Sequence, residues 1–303
     1  MKKINLLLAT AFLLVPLTGC SDAQAKLKDS STVLISVGNK NITKGDLYSL
    51  MNSTAGAQTA VDDANKTITS KEVKVTDDMK SSAQKTLDSY KSMYGDTFTN
   101  YLKQNGMTED QYLNDNLIPS LQAEKLPEVY LKDNWKKAVK KYNPVKATVL
   151  EFTAETDAKA ALSELTDGSK TAAEAASGHN SSSTGDSQIY TIESTDLDSM
   201  VRTVLSSQKP DDGWKEVPSS DGGTFYLVHV DDNDADNFKD EAISSLASVT
   251  AVTNDSTEYF FKKYKFHVYD KTIYDAMATS YPYNLVQDAD AAKAAASASA
   301  AAK

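Results

Sequence analysis

The sequence predicts an α+β protein in which two helical stretches flank a small α+β segment. Apolar residues recur at helical intervals between Met79 and Tyr142, and again between Phe238 and Met277. Between these stretches, alternating apolar residues predict strands at 145–152 and 224–230. Two strand patterns are too few for the repeated βαβ units of a large parallel sheet.

Composition and charge exclude several classes of protein. The chain has 303 residues, of which 40% are hydrophobic and 24% charged, as is usual for globular proteins. Its 32 Lys and Arg residues against 42 Asp and Glu give a net charge of −10, so we expect no nucleic-acid partner. A single cysteine, Cys20, excludes an intramolecular disulfide and a four-cysteine zinc site. With only three histidines and no glycine-rich phosphate loop, we expect neither a metal nor a cofactor.

The N-terminus carries the features of an export signal. Lys2 and Lys3 precede an apolar stretch, and Leu17-Thr18-Gly19-Cys20 resembles the bacterial lipobox. A signal anchor is the alternative, but the apolar stretch is shorter than the ~20 residues that span a bilayer. We therefore expect a signal peptide over 1–19, diacylation of Cys20 and a polar tether over 20–32. A multiply acylated cysteine would hold the protein on the extracytoplasmic face of the cell membrane, as in Gram-positive lipoproteins.

The first folded elements are predicted from residues 33–51. Val33, Ile35 and Val37 alternate as in a strand, and a Gly-Asn turn follows. Thr43 and Asp46 have the spacing of a capping box, which predicts a helix start. The next segment, 53–78, has few large apolar residues, and we expect either a mobile excursion or weak helices there.

Several short helices are predicted in 79–142. Pro119 and Pro127 should each start or kink a helix, because an interior proline loses a backbone hydrogen bond. Five tyrosines of this region could form a peptide-binding surface, since tyrosine offers large, rigid contact area, or could simply belong to the core and the helix surfaces. They are Tyr90, Tyr94, Tyr101, Tyr112 and Tyr130.

A local basic run closes this helical region. It consists of Lys136, Lys137, Lys140 and Lys141. A solvated face near a helix C-terminus explains such a run, and attraction to anionic lipid or wall polymer is the alternative.

After Pro144 the pattern changes to that of a small α+β segment. Short helices are predicted at 157–165, 170–176 and 199–205, with a polar loop at 177–187. A second helical stretch follows, interrupted by a strand-like turn at 266–270. Residues 287–303 are almost entirely Ala, Ser and Asp, and we expect a disordered tail.

The order of these elements resembles the PrsA-type extracytoplasmic foldases. The motifs are the lipobox, the strand-turn-helix of 33–51, and three short sequences. These are Gly106-Met107-Thr108-Glu109-Asp110, Tyr142-Asn143-Pro144-Val145-Lys146-Ala147 and Lys265-Phe266-His267-Val268-Tyr269-Asp270. The resemblance implies a helical chaperone lobe from 33–144 and 233–286, with a parvulin-like prolyl isomerase domain inserted at 145–232. It also implies dimerisation through the helical lobe.

The isomerase motif is where the chain departs from that family. Val149 stands where the first histidine of a parvulin would be, and Tyr226 stands at the second. His179 lies near the family's acidic or thiol residue, whereas His229 should lie on the opposite strand face from Tyr226. A prolyl-peptide pocket could persist, and its expected residues are Met200, Leu205, Phe225 and Tyr226. We therefore expect weak or no peptidyl-prolyl isomerase activity and assign no catalytic residue.

The predicted function is that of a membrane-anchored foldase or chaperone for newly secreted proteins. Its partners would be unfolded or folding secreted chains, which expose apolar segments outside the cell, where ATP is absent. A solute-binding lipoprotein of a transporter is one alternative, although that class usually has two α/β lobes. A surface interaction lipoprotein with no role in folding is another.

Overall fold

The protein is represented by a computed structural model that describes residues 23–288. The predicted signal peptide, Cys20 and residues 289–303 of the predicted tail lie outside these residues. The described chain forms two compact units, the first from within 1–64 and 261–303 and the second from 65–260. This division does not follow the predicted domain boundaries after 144 and 232, which stay a prediction. The mixture of many helices with small antiparallel sheets confirms the α+β fold class.

The elements are numbered in chain order. The strands are β1 (Val33–Val37), β2 (Lys40–Thr43), β3 (Val145–Phe152), β4 (Ser187–Tyr190), β5 (Lys215–Pro218) and β6 (Phe225–Asp232). The first seven α-helices are α1 (Lys44–Met51), α2 (Ala57–Glu72), α3 (Asp77–Tyr94), α4 (Asp96–Gln104), α5 (Glu109–Tyr112), α6 (Ile118–Asp133) and α7 (Trp135–Tyr142). The others are α8 (Glu155–Thr166), α9 (Ala172–Gly178), α10 (Ser199–Leu205), α11 (Lys239–Leu246), α12 (Thr250–Lys263) and α13 (Lys271–Ser280). Wider π-helical turns occupy Asn52–Gly56 and Leu113–Leu117, and 3-10 turns occupy Pro210–Asp212 and Val286–Asp288.

The first unit begins with the predicted strand-turn-helix. Strands β1 and β2 pair in antiparallel fashion around Gly38, whose φ of 58° suits the tight turn. The backbone N–H of Asp46 donates to Thr43 Oγ1 at 3.2 Å, and that of Thr43 donates to Asp46 Oδ2 at 2.8 Å. These reciprocal bonds confirm the capping box and fix the start of α1.

Of the two expectations for 53–78, the structure shows helices, and the four residues 73–76 connect α2 to α3. The π-helical turn leads directly into α2, and α3 begins at Asp77. Ala57 and Val61 lie one helical turn apart and pack into a core with Tyr274 and Met277 of α13. Small residues at helical spacing are enough here, because the partner helix supplies the large side chains.

Hydrogen bonds hold the irregular segments 23–25 and 266–270, which lie next to that core. The backbone N–H of Ala25 donates to the carbonyl of Tyr269 at 2.8 Å, and Ala23 is buried in the same core. Val268 exchanges two bonds with the Gln287 side chain, at 2.6 and 3.0 Å. Residues 266–270 therefore form an irregular segment rather than a strand-like turn, because their backbone bonds to these groups and not to a strand. The part of the predicted tether at 23–25 is docked on this unit.

The helices of the second unit begin and end where the sequence indicates. Gly95 and Gly106 have φ of 46° and 63° and separate successive helices. Pro119 lies in the first turn of α6, as predicted, whereas Pro127 is buried inside the same helix. Asn143 ends α7 in the left-handed conformation.

The α+β segment is built on one antiparallel sheet with the strand order β4-β3-β6-β5. Val149 of β3 pairs with Val228 of β6, and Glu151 pairs with Tyr226. Alternation along β3 and β6 gives the sheet two buried faces. We call them the Val149 face, with Val149 and Val228, and the Leu150 face, with Leu150. Helix α10 packs on the Val149 face, and α8 and α9 pack on the Leu150 face.

Candidate functional site

The two positions of the missing histidines lie on the same face of the sheet. Val149 is buried among Val201, Val217 and Val228, and Tyr226 packs against this cluster while partly buried. Since Glu151 is the direct partner of Tyr226, Val149 and Tyr226 are diagonal neighbours. Hydrocarbon and one phenol thus occupy the place where the family resemblance implies two imidazoles.

The four residues expected to line a prolyl pocket are not brought together. Leu205 is buried in the core of the Val149 face, but Met200 is 47% exposed. Phe225 packs on the Leu150 face, so its assignment to a pocket with Tyr226 is wrong. The reason is strand geometry, because adjacent residues of a strand point to opposite faces.

The hydroxyl of Tyr226 lies in a partly buried, acidic environment. Burial raises the pKa of this phenol, and the carboxylates of Glu151, Asp198 and Asp221 raise it further. Asp198 is itself fixed, since it caps α10 through Met200 N–H and accepts from Ser220. Tyr226 therefore remains a neutral phenol at physiological pH and cannot act as a general base.

The two histidines of the α+β segment are each held by a carboxylate. His179 Nε2 lies 2.7 Å from Glu164 Oε2, between α9 and α8. His229 Nδ1 lies 2.9 Å from Asp231 Oδ1, and its ring centroid is 5.2 Å from that of Trp214. Trp214 belongs to the Leu150 face, which confirms that His229 and Tyr226 lie on opposite faces. Within residues 23–288, no three His, Cys, Asp or Glu side chains are grouped so that they could hold a metal ion.

An aromatic surface forms at one end of the helices α3, α4 and α5. Four of the five tyrosines singled out in the sequence meet here. Their ring contacts are Tyr90 with Tyr94 at 6.1 Å, Tyr90 with Tyr112 at 6.5 Å and Tyr101 with Tyr112 at 6.3 Å, and Phe98 lies 5.3 Å from Tyr112. Phe98 is buried, whereas Tyr94, Tyr101 and the adjacent Met93 are exposed. Part of the stripe is core and part is helix surface, as the second reading expects, and peptide binding by the exposed tyrosines stays a prediction.

Tyr130, the fifth tyrosine, belongs to a separate buried network. Its hydroxyl donates to Asp255 Oδ2 at 3.3 Å, and the fully buried Tyr142 donates to the same oxygen at 2.6 Å. Lys141 Nζ reaches this oxygen at 2.5 Å. Burial and the charge of Asp255 raise the pKa of Tyr130 to about 12. This network joins α12 to α6 and α7 and has a structural role.

A second exposed apolar surface lies in the first unit, and sequence reasoning did not single it out. It comprises Val33, Leu34, Ile35, Val37, Leu47, Leu50 and Met51. We call it the N-terminal apolar surface. It contains half of the exposed large apolar residues of the described chain, and every side chain of β1 is exposed. The sequence did carry a signal for this surface, because the adjacent residues Leu34 and Ile35 are both apolar. Adjacent residues of a strand point to opposite faces, so this pattern is expected for a hairpin that packs neither face against its own core.

A cleft adjoins this surface. It has a volume of about 550 Å³, and Leu50, Met51 and Ile273 are among its lining residues. The π-helical turn widens the helix here, and Gly56 leaves room for Ile273, because a β-carbon at Gly56 would come within 3.2 Å of Ile273 Cγ1. The Nδ2 of Asn52, also in the lining, is buried and has no hydrogen-bond partner in the described chain.

The predicted lipid attachment at Cys20 falls outside the described residues. None of the helices within 23–288 combines the length and apolar character needed to cross a membrane.

Comparisons with known proteins give structural neighbours only. No protein-family model matches the chain, and no curated protein is a significant match. A peptidylprolyl isomerase (PrsA) from Bacillus cereus is 17% identical, with a TM-score of 0.43, over 82% of this chain and 98% of that one. The foldase protein PrsA from Streptococcus pneumoniae is 16% identical, with a TM-score of 0.37, over 81% and 98%. A foldase protein (PrsA) from Lactococcus lactis is 21% identical, with a TM-score of 0.33, over 77% and 93%. These structures carry the name of the family that the sequence motifs resemble. Their sequence identities and TM-scores are too low for a function to be carried over to this chain.

Proposed function

We propose that this protein is a foldase or chaperone that holds apolar segments of secreted proteins while they fold. The N-terminal apolar surface carries this proposal. Leu50 and Met51 are 63% and 62% exposed at the rim of an apolar cleft, and every side chain of strand β1 is exposed. A concentration of exposed large apolar side chains favours an interaction site.

Unfolded polypeptide is the partner that suits this surface. Leucine and methionine side chains adapt to varied apolar partners, because methionine is flexible and polarisable. Strand β1 also offers an edge with unpaired backbone groups, to which an extended segment can add. Transient capture of this type needs no nucleotide.

An aggregation assay tests the proposal. The purified protein should slow the light scattering of a thermally unfolding secreted enzyme at a near-stoichiometric ratio. Replacing Leu50 and Met51 together by serine should remove most of this effect without changing the melting temperature, since both side chains are exposed. The matched control replaces Val75 and Ile192, which are exposed elsewhere, by serine. Equal loss in both double variants, or no protection by the unaltered protein in excess, would reject the proposal.

The location follows from the sequence and is part of the proposal. Acylated Cys20 would hold the protein on the extracytoplasmic face of the membrane, where exported chains emerge. Labelling of cells with an alkyne fatty acid should mark the protein and should fail for Cys20→Ser. Labelling of that variant to the same extent would exclude Cys20 as the attachment point.

Isomerase activity is proposed to be weak or absent. Proline isomerisation faces a barrier of ~18–20 kcal/mol, and the family resemblance ties its lowering to the paired histidines. The Val149 face offers a packed hydrocarbon cluster and a neutral phenol at those positions. A protease-coupled assay with a proline peptide should therefore show little acceleration; a rate typical of parvulins would contradict this part of the proposal.

The N-terminal apolar surface is also where a second copy could bind, as the resemblance implies. Analytical ultracentrifugation over a range of concentrations separates the two uses. A dimer that dissociates in the Leu50→Ser/Met51→Ser variant would place the surface in an interface between copies. A monomer throughout would leave the surface to client chains.

A further inference from the structure

The outward face of α7 carries a compact positive patch that the proposed function does not use. It consists of Lys136, Lys137, Lys140 and Lys141, all exposed, and we call it the α7 lysine face. Opposite to it, Trp135, Ala138 and Tyr142 of the same helix are buried. Four of the eight residues of α7 are therefore lysines on one side of the helix, although the chain has a net charge of −10.

Helix stability does not account for this arrangement. Lys140 and Lys141 lie in the last turn, where a cation interacts favourably with the helix dipole. Lys136 and Lys137 lie in the first turn, where the same dipole disfavours a cation. The pairs 136/140 and 137/141 are also like charges at i,i+4, which repel each other. The expectation of a solvated face near a helix C-terminus thus explains two of the four lysines.

Neutralisation by carboxylates does not account for it either. Lys141 pairs with Asp255 at 2.5 Å. Within residues 23–288, no carboxylate oxygen lies within 4.0 Å of the ammonium groups of Lys136, Lys137 or Lys140. The face therefore presents a net positive charge to solvent.

We propose that the α7 lysine face binds a linear polyanion whose charges are phosphates. From Lys136 to Lys141 the helix rises about 8 Å, so the patch is short, straight and one helix wide. Amphipathic helices that lie in the membrane interface insert an apolar face beside their lysines. That face of α7 is occupied by the protein core, so only charge is available to a partner. A chain of phosphates can follow the two rows of ammonium groups along the helix, whereas an anionic lipid surface, which charge alone can also attract, is the competing outcome that the vesicle experiment below separates.

Binding of inorganic polyphosphate tests the proposal on the purified protein. Fluorescence anisotropy of labelled polyphosphate at about 50 mM salt should show saturable binding that weakens as salt increases, because bound lysines release counterions. Replacing Lys136, Lys137 and Lys140 by glutamine should weaken binding at least about tenfold. It should also reduce the slope of log K against log salt by about 2, if three contacts are lost at about 0.7 each. Lys141 is left in place because it also binds Asp255.

A matched control separates the face from overall charge. It replaces the exposed lysines Lys85, Lys103 and Lys170 by glutamine, which changes the net charge by the same amount. This control should bind polyphosphate within about twofold of the unaltered protein, and all three proteins should melt at similar temperatures. Absence of binding, or equal weakening in the control, would overturn the proposal. So would binding to vesicles with 30% anionic lipid that depends on the same three lysines and exceeds binding to polyphosphate, because the face would then be a membrane contact.

Discussion

Removal of the Asp255 carboxylate should destabilise the second unit strongly. Its Oδ2 accepts from Tyr142 at 2.6 Å and from Tyr130 at 3.3 Å. Both tyrosines are buried, and without the carboxylate Tyr142 keeps a long contact to the Ala251 carbonyl at 3.4 Å and the neighbouring Tyr130 hydroxyl. Two buried hydroxyls would then lose an ionised acceptor, which is the costly way to break a hydrogen bond.

The magnitude follows from these distances. A hydrogen bond to a charged group contributes about 1.5–3 kcal/mol, and the short Tyr142 bond should account for about 2 kcal/mol. The longer Tyr130 bond to the same oxygen should add about 1 kcal/mol. The ion pair with Lys141 adds little, because the lysine side chain is 54% exposed and such pairs contribute about 0–1 kcal/mol. We expect Asp255→Ala to lower the free energy of unfolding by about 3 kcal/mol.

Urea unfolding and thermal melting measure this loss. For a unit of this size, about 3 kcal/mol corresponds to a fall in melting temperature of roughly 6–12 °C. Asp255→Asn keeps an acceptor and should cost about 1 kcal/mol. In a double-mutant cycle with Tyr142→Phe, a substantial part of the cost of Asp255→Ala should vanish.

The control is Asp211→Ala, at an exposed aspartate in a 3-10 turn. It should change the free energy of unfolding by less than about 0.5 kcal/mol. If Asp255→Ala costs no more than this control, or if its cost is unchanged in the Tyr142→Phe background, the shared carboxylate does not hold α12 to α6 and α7.

Three further predictions concern stability. The pKa of Tyr130 is raised to about 12 in the folded protein, from about 10 in the unfolded chain. The contribution of its neutral phenol to the free energy of unfolding is therefore fully present below pH 10 and is lost between pH 10 and 12. Tyr130→Phe should flatten this part of the stability-pH profile, as measured by urea unfolding. Gly185→Ala should lower the free energy of unfolding by about 2 kcal/mol or more, because φ is +83° and the new β-carbon would lie 2.6 Å from the Ala172 carbonyl carbon. Gly168→Ala is the control, since its φ is +73° but the space around it is open, and it should cost only about 1 kcal/mol. Equal melting temperatures of the two variants would contradict the steric reason. Thr108→Ala should lower the free energy of unfolding by about 1 kcal/mol, because it removes the capping box with Gln111 at the start of α5. Urea unfolding should show this loss, and an unchanged urea midpoint would show that the cap does not contribute.

Local signals in the sequence predicted much of the fold. The capping box at Thr43 depends on neighbours along the chain and is where it was expected. Gly95 and Gly106, which follow α3 and α4 with positive φ, are likewise local features, because only glycine adopts this conformation readily. The strands β3 and β6 were recognised because each is eight residues long, enough for the alternating apolar pattern to stand out. Strands β2, β4 and β5 were missed, since each has four residues and their identity depends on pairing with β1, β3 and β6.

Contacts between distant segments could not be predicted in the same way. The helix α2 has few large apolar residues, and it is stabilised where Ala57 and Val61 meet side chains of α13. The assignment of Phe225 to a pocket failed for a related reason. It used residue type alone, whereas the register of β6 decides which of two adjacent aromatic residues faces α10.

The distribution of apolar residues separates the two activities that the family resemblance implies. On the Val149 face, the positions of the two histidines contribute to a buried cluster with Leu205, and the polar groups near Tyr226 are committed to capping α10 and to the loop before β6. Such packing stabilises the sheet and leaves no pair of imidazoles at these two positions. Leu50 and Met51 are the opposite case, because they remain exposed although a core of the same unit lies close by in the chain. Exposure of large apolar side chains contributes nothing to folding, so their presence is better explained by binding. The proposed function therefore combines an exposed apolar surface, which holds client proteins, with little isomerase activity, because Val149 and Tyr226 stand at the two histidine positions.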